Sequence, residues 1–151
     1  MKNKTIYVGI MVMIFCILAV GCDNNIKGGE ADPALNGNWN LEDGLYIYHF
    51  DNGNFTNSIG TIQIIRGTYT TSGNKITMTT THCRGVLYTA FGLDPDKWYT
   101  RTELLAIPEV VEGLGTALIN AQFFPLPGTY SISGITLTLT TGGVTEIYTK
   151  I

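Results

Sequence analysis

Charge is scarce in this chain. Asp, Glu, Lys and Arg make up 14% of its 151 residues, with no block of either sign. A nucleic-acid binder needs a basic stripe to neutralise phosphates. Nine Lys+Arg against twelve Asp+Glu do not provide one, so nucleic acid is excluded as a partner. Histidine is scarcer still, at His49 and His82. No His-x-x-x-His, Cys-x-x-Cys or Gly-x-Ser-x-Gly occurs, so the usual zinc, dithiol and serine-hydrolase centres lack their residues. His49 shares a strand face with Leu45 and Ile47, the setting of a structural histidine. Asp94-Pro-Asp96 brings two carboxylates close, but no acidic ligand or glycine follows at calcium-loop spacing. Asp94 before Pro95 reads instead as a helix cap. Gly113-Leu-Gly115 falls inside a helical pattern rather than after a strand, so it is no dinucleotide loop. Glu103, Glu109 and Glu112 read as a solvated helix face. No catalytic residue, metal site or cofactor is expected, and the chain reads as a non-enzyme.

Three cysteines are present, and their positions exclude an internal disulfide. Lys2 and Lys4 precede residues 6–20, which are almost wholly apolar. About 15 residues are short for a membrane span, which needs roughly 20, and suit a signal peptide. The stretch ends in Ala19-Val20-Gly21 before Cys22. This resembles the bacterial lipoprotein signal, although Ala19 stands where leucine is preferred. The resemblance implies removal of residues 1–21 and a diacylglycerol-modified, fatty-acylated (palmitate-type) Cys22 holding the protein to a membrane. It also implies a place in the bacterial cell envelope: the outer membrane, the periplasmic face of the inner membrane, or the cell surface. Cys16 would leave with the signal and Cys22 would carry lipid. Cys83 then stands alone and reads as a small hydrophobe. Removal of Lys2 and Lys4 leaves seven basic against twelve acidic residues, a net charge near −5.

Residues 22–36 are polar, contain glycine and show no period, as a flexible tether does. From Gly37 the period is two. Leu45-Tyr-Ile-Tyr-His-Phe50 sets aromatic Tyr46, Tyr48 and Phe50 on one face, and Asp51-Asn-Gly53 makes a turn. Ile76-Thr-Met-Thr79 and Ile135-Thr-Leu-Thr-Leu-Thr140 alternate apolar with Thr, as a half-buried antiparallel sheet requires. Residues 144–148 form the last strand. Gly67-Thr-Tyr-Thr-Thr-Ser-Gly73 and Gly128-Thr-Tyr-Ser-Ile-Ser-Gly134 repeat one frame. Each Ser-Gly is a hairpin turn, the first longer by Asn74-Lys75, and Gly67 and Gly128 are candidate bulges. Gly37-Asn-Trp39 is similar to the Gly-x-Trp opening of lipocalins. With the repeated hairpins and terminal Ile147-Tyr-Thr-Lys150, residues 37–151 resemble the small lipocalin-like lipoproteins of bacteria. The expected fold is therefore all-β, an antiparallel up-and-down barrel of about eight strands. The resemblance implies that Gly37 and Trp39 close one barrel end, with Lys150 the candidate basic residue over the indole.

Between about residues 91 and 127 the two-residue period stops. Thr100-Arg-Thr-Glu103 is a capping box, and Pro108 opens a second helix with Val110, Val111, Leu114, Leu118 and Ala121 at helical spacing. This insertion is either a lid over the barrel or a plug in its end. The expected function is binding of a small apolar ligand or a protein partner, with Tyr46, Tyr48, Phe50, Trp98, Leu114 and Leu118 as candidate contacts. The alternative is a structural or surface lipoprotein with a solidly packed barrel, since an eight-stranded interior can be just filled by side chains. A monomer is expected in either case.

Overall fold

The computed structural model describes residues 30–42 and 44–151. The expected signal, Cys22 and the first half of the expected tether lie outside the described residues. Nine strands form: β1 (Gly37–Leu41), β2 (Tyr46–Asp51), β3 (Asn54–Ile59), β4 (Ile62–Ser72), β5 (Lys75–Arg84), β6 (Trp98–Tyr99), β7 (Leu126–Ser133), β8 (Thr136–Thr141) and β9 (Val144–Lys150). Every pairing is antiparallel; apart from β6 the strands follow one another around the wall, with β5 pairing β7 and β9 returning to β1. The result is a closed eight-stranded up-and-down barrel, with no free edge along most of its wall. The two-residue β6 extends the far end of β5 through Cys83 and Arg84.

Local chemistry accounts for the turns. Between paired Asp51 and Asn54, Asn52 and Gly53 have φ of +45° and +86°. Positive φ at both central positions matches the twist of the flanking strands. In the repeated frames, Ser72 pairs with Lys75 and Ser133 with Thr136. Both loops therefore hold two residues and are led by Gly73 or Gly134 at φ +60°. The first loop is no longer than the second, because Lys75 already belongs to β5. The bulge expected at Gly67 is present as a register shift between Arg66 and Gly67. A Cβ there would lie 2.1 Å from the Thr79 carbonyl and 2.6 Å from the Phe55 ring. The bulge expected at Gly128 is absent. That residue is in regular register, and glycine is needed because a Cβ would come within 2.4 Å of the Thr140 carbonyl.

Alternation puts Trp39, Phe50, Phe55, Tyr69, Ile76, Met78, Tyr130, Leu137, Leu139 and Tyr148 inside the barrel, and threonines mostly outside. The first barrel end, where β1 begins and β9 finishes, is sealed by a segment expected to be tether. Pro33–Leu35 forms a 3-10 turn capped by Asp32, and Leu35 is buried among the barrel aromatics. The Trp39 indole N–H donates to the Leu35 carbonyl at 2.6 Å, and Lys150 Nζ lies 5.0 Å from the ring centroid. The repeated tyrosines complete the seal. Tyr130 donates its hydroxyl to Asp32 at 2.7 Å and Tyr69 donates to Asn36 at 3.3 Å. Their backbone N–H groups likewise each donate to the preceding hairpin turn, Tyr69 to Gly53 and Tyr130 to Asn74. Thr71 holds the Glu30 carbonyl through both its N–H and its hydroxyl. Residues 30–36 are thus part of the fold, since a buried leucine and this network outweigh their polar composition.

The insertion begins at Gly85, earlier than the loss of alternation indicates, with a 3-10 segment Gly85–Phe91. Three short helices follow: α1 (Arg101–Leu105), α2 (Pro108–Leu114) and α3 (Thr116–Phe123). Thr100 and Glu103 form the expected capping box, and Pro108 opens α2. The single helix expected beyond Pro108 is broken at Gly115, whose φ of +78° and ψ of 148° end one helix and start the next. Gly113 is required because a Cβ would meet the Phe91 ring at 2.1 Å. Asp94 does not cap a helix. It accepts the Asp96 N–H at 2.9 Å within a turn, and no helix follows. The insertion has its own core, built on Cys83, Tyr88, Tyr99, Leu104, Val110, Leu114, Ile119 and Phe123. Ile65 of β4 borders both cores.

The seal around Trp39 generates a test. Trp39→Ala removes the largest wholly buried side chain and leaves the Leu35 carbonyl unpaired. The expected loss is about 3–5 kcal/mol, seen as a large fall in thermal midpoint. A melting curve superimposable on wild type would show that the end is held closed by other contacts.

Candidate functional site

The two barrel ends differ. At the sealed end Leu35, Trp39, Phe50 and Tyr69 are shut off from solvent. At the other end the interior-facing residues Leu41, Tyr46, Tyr48, Ile59 and Glu146 are all partly exposed. Strand register puts Leu41, Tyr46 and Ile59 in one row across β1, β2 and β3, with Tyr148 of β9 continuing it. The next row towards the sealed end runs Trp39, Tyr48, Asn57 and Ile65. The mouth is therefore walled by β9, β1, β2 and β3. Its turns carry exposed apolar residues: Leu45 at 46%, Ile62 at 47% and Val144 at 46%.

Below this rim the rings pack on one another. Tyr48 and Tyr148 meet with centroids 5.5 Å apart, Tyr48 stacks on Phe50 at 5.6 Å, and Phe55 lies 6.1 Å from Tyr48. Polar groups sit among them. The Tyr148 hydroxyl donates to Glu146 Oε2 at 2.7 Å. Asn57 pairs with Tyr48 across β2 and β3, and its Oδ1 is buried without a partner. Burial pushes the Tyr48 hydroxyl up to about 12, the neighbouring Asn57 amide opposes this, and the negative charge of Glu146 adds to it. Tyr48 is therefore a neutral phenol at physiological pH, able to donate or accept.

Of the residues singled out from sequence, Tyr46 and Tyr48 face the mouth, and Phe50 packs deeper against Tyr69 at 5.0 Å. Trp98, Leu114 and Leu118 do not join them. Trp98 lies on the outer side of β6 with the Arg66 guanidinium stacked 4.7 Å over its ring. Leu114 and Leu118 belong to the insertion's own core. Helix α3 and the 3-10 segment rest mainly on β4 and β5, and the insertion springs from the mouth end of the barrel, where β5 ends and β7 begins, its core reaching the inward-facing row through Ile65 and Cys83. Gly37 and Trp39 stand at the sealed end, where a Cβ on Gly37 would meet Lys150 Cε at 2.9 Å. His49 faces outward and bonds Asn38 at 2.8 Å. Asn57 and Glu146 were missed. Counting by twos from Phe55 and from Tyr148 places both at interior positions, and a polar residue there was the available signal.

In the second core, Tyr88 donates its hydroxyl to Gln122, and the Cys83 thiol approaches the same Gln122 oxygen at 3.9 Å. Burial pushes the thiol up to about 12 and raises the Tyr88 hydroxyl as well. Nothing in this pair is poised for nucleophilic attack, which needs a thiolate.

No protein-family model matches the chain, and no curated protein matches it. Among solved structures it is similar to an uncharacterized protein from Bacteroides eggerthii DSM 20697, at 15% identity and a TM-score of 0.45. The match covers 78% of this chain and 99% of that one. So slight a likeness carries no argument about function.

Cys83 provides a direct check on the second core. Iodoacetamide at pH 8 is expected to leave Cys83 unmodified in the folded protein and to alkylate it in urea, read by peptide mass. The thiol is held protonated, so its contribution to stability is complete below the unfolded value near 9 and is lost as pH rises towards 12. Rapid alkylation of the native protein would show that the core opens readily.

Proposed function

We propose that this chain is an exported, lipid-anchored envelope protein whose barrel takes a small apolar or amphipathic ligand into its unsealed mouth. The observation that carries the binding reading is the asymmetry of the barrel. One end is shut by Leu35, Trp39 and the tyrosine network, while the other presents partly exposed aromatics beneath an apolar rim. Concave, mostly apolar sites with a few convergent polar groups are the usual form of small-molecule pockets. Packed aromatics fill the lower half, so the ligand is shallow and small.

The anchoring reading rests on Lys2, Lys4, the apolar residues 6–20 and Cys22. Among the described residues no helix is long and apolar enough to cross a membrane. The barrel wall supports an anchor over insertion, because its outward positions are mostly Thr, Ser, Asn and His, with isolated aliphatics such as Ile47 and Ile147 rather than an apolar band. Lipid on Cys22 would tether the protein from its sealed end, since residues 30–36 lead directly into that seal. The mouth would then face away from the membrane.

Two experiments address the two halves separately. Cys22→Ser should release the protein from membranes or leave its signal uncleaved, and a native mass without acyl groups would remove the anchor. For binding, the apolar fluorophore N-phenyl-1-naphthylamine should brighten with the protein. Leu45→Asp with Val144→Asp should weaken that binding about tenfold, the effect of losing roughly 1.4 kcal/mol of apolar contact. Unchanged titrations in the double variant would place the probe elsewhere.

A further inference from the structure

Two acceptors, Asn57 Oδ1 and the Glu146 carboxylate, lie under the mouth. Asn57 is 7% exposed, and its Oδ1 is buried with no partner. It faces the interior, since it pairs with Tyr48 on β2 and Ile65 on β4. Glu146 is also interior-facing, being two residues from the buried Tyr148, whose hydroxyl it accepts. The salt bridges among the described residues join Arg84 to Asp96 and Lys97 to Glu103, so none neutralises Glu146. Lys150 is occupied at the sealed end over Trp39. The two acceptors are linked through the rings: Asn57 pairs with Tyr48 across β2 and β3, the Tyr48 ring meets the Tyr148 ring, and the Tyr148 hydroxyl donates to Glu146. The rings of Tyr48 and Tyr148 stand beside them.

We propose that this polar floor binds the protonated amine of a small amphiphile, with Asn57 Oδ1 and Glu146 accepting its N–H groups. The proposal rests on the ligand reading of the mouth and adds the class of ligand. A buried amide oxygen without a donor is a destabilising feature unless something satisfies it. A carboxylate beside two tyrosine rings suits a cation, which both the charge and the ring quadrupoles attract. An anionic head would meet Glu146 with like charge. A purely apolar ligand would leave Asn57 Oδ1 unpaired. The ammonium group supplies donors and positive charge together, and its apolar body lies against Tyr46, Leu45 and Val144.

The test uses the full chain in lipid nanodiscs, with empty discs as the blank and calorimetry as the readout. Four probes share one apolar body: 2-phenylethylamine, its N,N,N-trimethyl derivative, 2-phenylethanol and 3-phenylpropanoate. The primary amine should bind about tenfold tighter than the alcohol, and the carboxylate weakest. The trimethyl derivative, which has no N–H, should fall between amine and alcohol. Glu146→Gln should bring amine and alcohol within about threefold of each other while leaving alcohol affinity unchanged. Asn57→Leu should equalise the amine and its trimethyl derivative. Melting curves of both variants within a few degrees of wild type confirm that the barrel is intact; if Asn57→Leu melts lower, Asn57→Asp, which keeps an acceptor, should retain amine preference. Equal binding of amine, alcohol and carboxylate would overturn the head-group assignment and leave the mouth as an apolar site. Failure of all four to bind would overturn the ligand reading itself.

Discussion

The indole of Trp39 is the point on which barrel closure depends. It lies on the first strand, beneath the last strand's Lys150 and against the carbonyl of Leu35 in the segment that precedes the barrel. A barrel closes only if its first and last strands pair, and here that pairing puts Trp39 directly opposite Lys150. The same ring therefore joins the strand seam, the inner core and the end seal. Gly37 two residues earlier has no side chain because the Lys150 stem passes where a Cβ would be.

From this end the packing propagates by register. Phe50 and Phe55 face each other across β2 and β3, and Gly67 on β4 leaves the space that the Phe55 ring takes. The two Gly-Thr-Tyr frames place Tyr69 and Tyr130 at matching sites, each bonded by hydroxyl to the seal and by backbone to the neighbouring turn. Burial raises both hydroxyls, Tyr130 to about 12 with Asp32 adding to the effect, so both remain donors across the physiological range. The repeat thus serves one mechanical purpose twice, fastening residues 30–36 across the barrel end. Sealing that end with aromatics confines any ligand to the other.

The insertion follows a separate logic. It leaves β5 at Arg84, returns at Leu126, and buries its apolar side chains against one another and the extended end of β4 and β5. Its helices have five to eight residues, too short to persist alone. They are held by Thr100–Glu103 capping, by the Arg101–Asn120 hydrogen bond at 2.7 Å, and by the shared core. Hydrogen bonds from Thr100 hold the Glu103 carboxyl below the usual range, as a capping box does.

Much of this was legible in the sequence because it is local. Alternation, paired-glycine turns, the Thr100–Glu103 cap and Pro108 at a helix start each depend on residues a few positions apart. The all-β class and Tyr46 and Tyr48 as interior aromatics follow from such patterns, while Trp39 as an end residue came from the resemblance to lipocalins. Composition misled where a nonlocal partner decided the outcome: residues 30–36 look like tether until Leu35 meets the barrel core. Helical spacing likewise could not say that Leu114 and Leu118 pack with Cys83, Tyr88 and Ile119 in a core of their own. The link from Asn57 on β3 through the Tyr48 and Tyr148 rings to Glu146 on β9 exists only after β9 pairs with β1. Sequence alone determined the strands and their faces, because side-chain period and turn chemistry are short-range. Tertiary structure decided which end is sealed and which polar groups meet at the other, because both depend on barrel closure and the register across it.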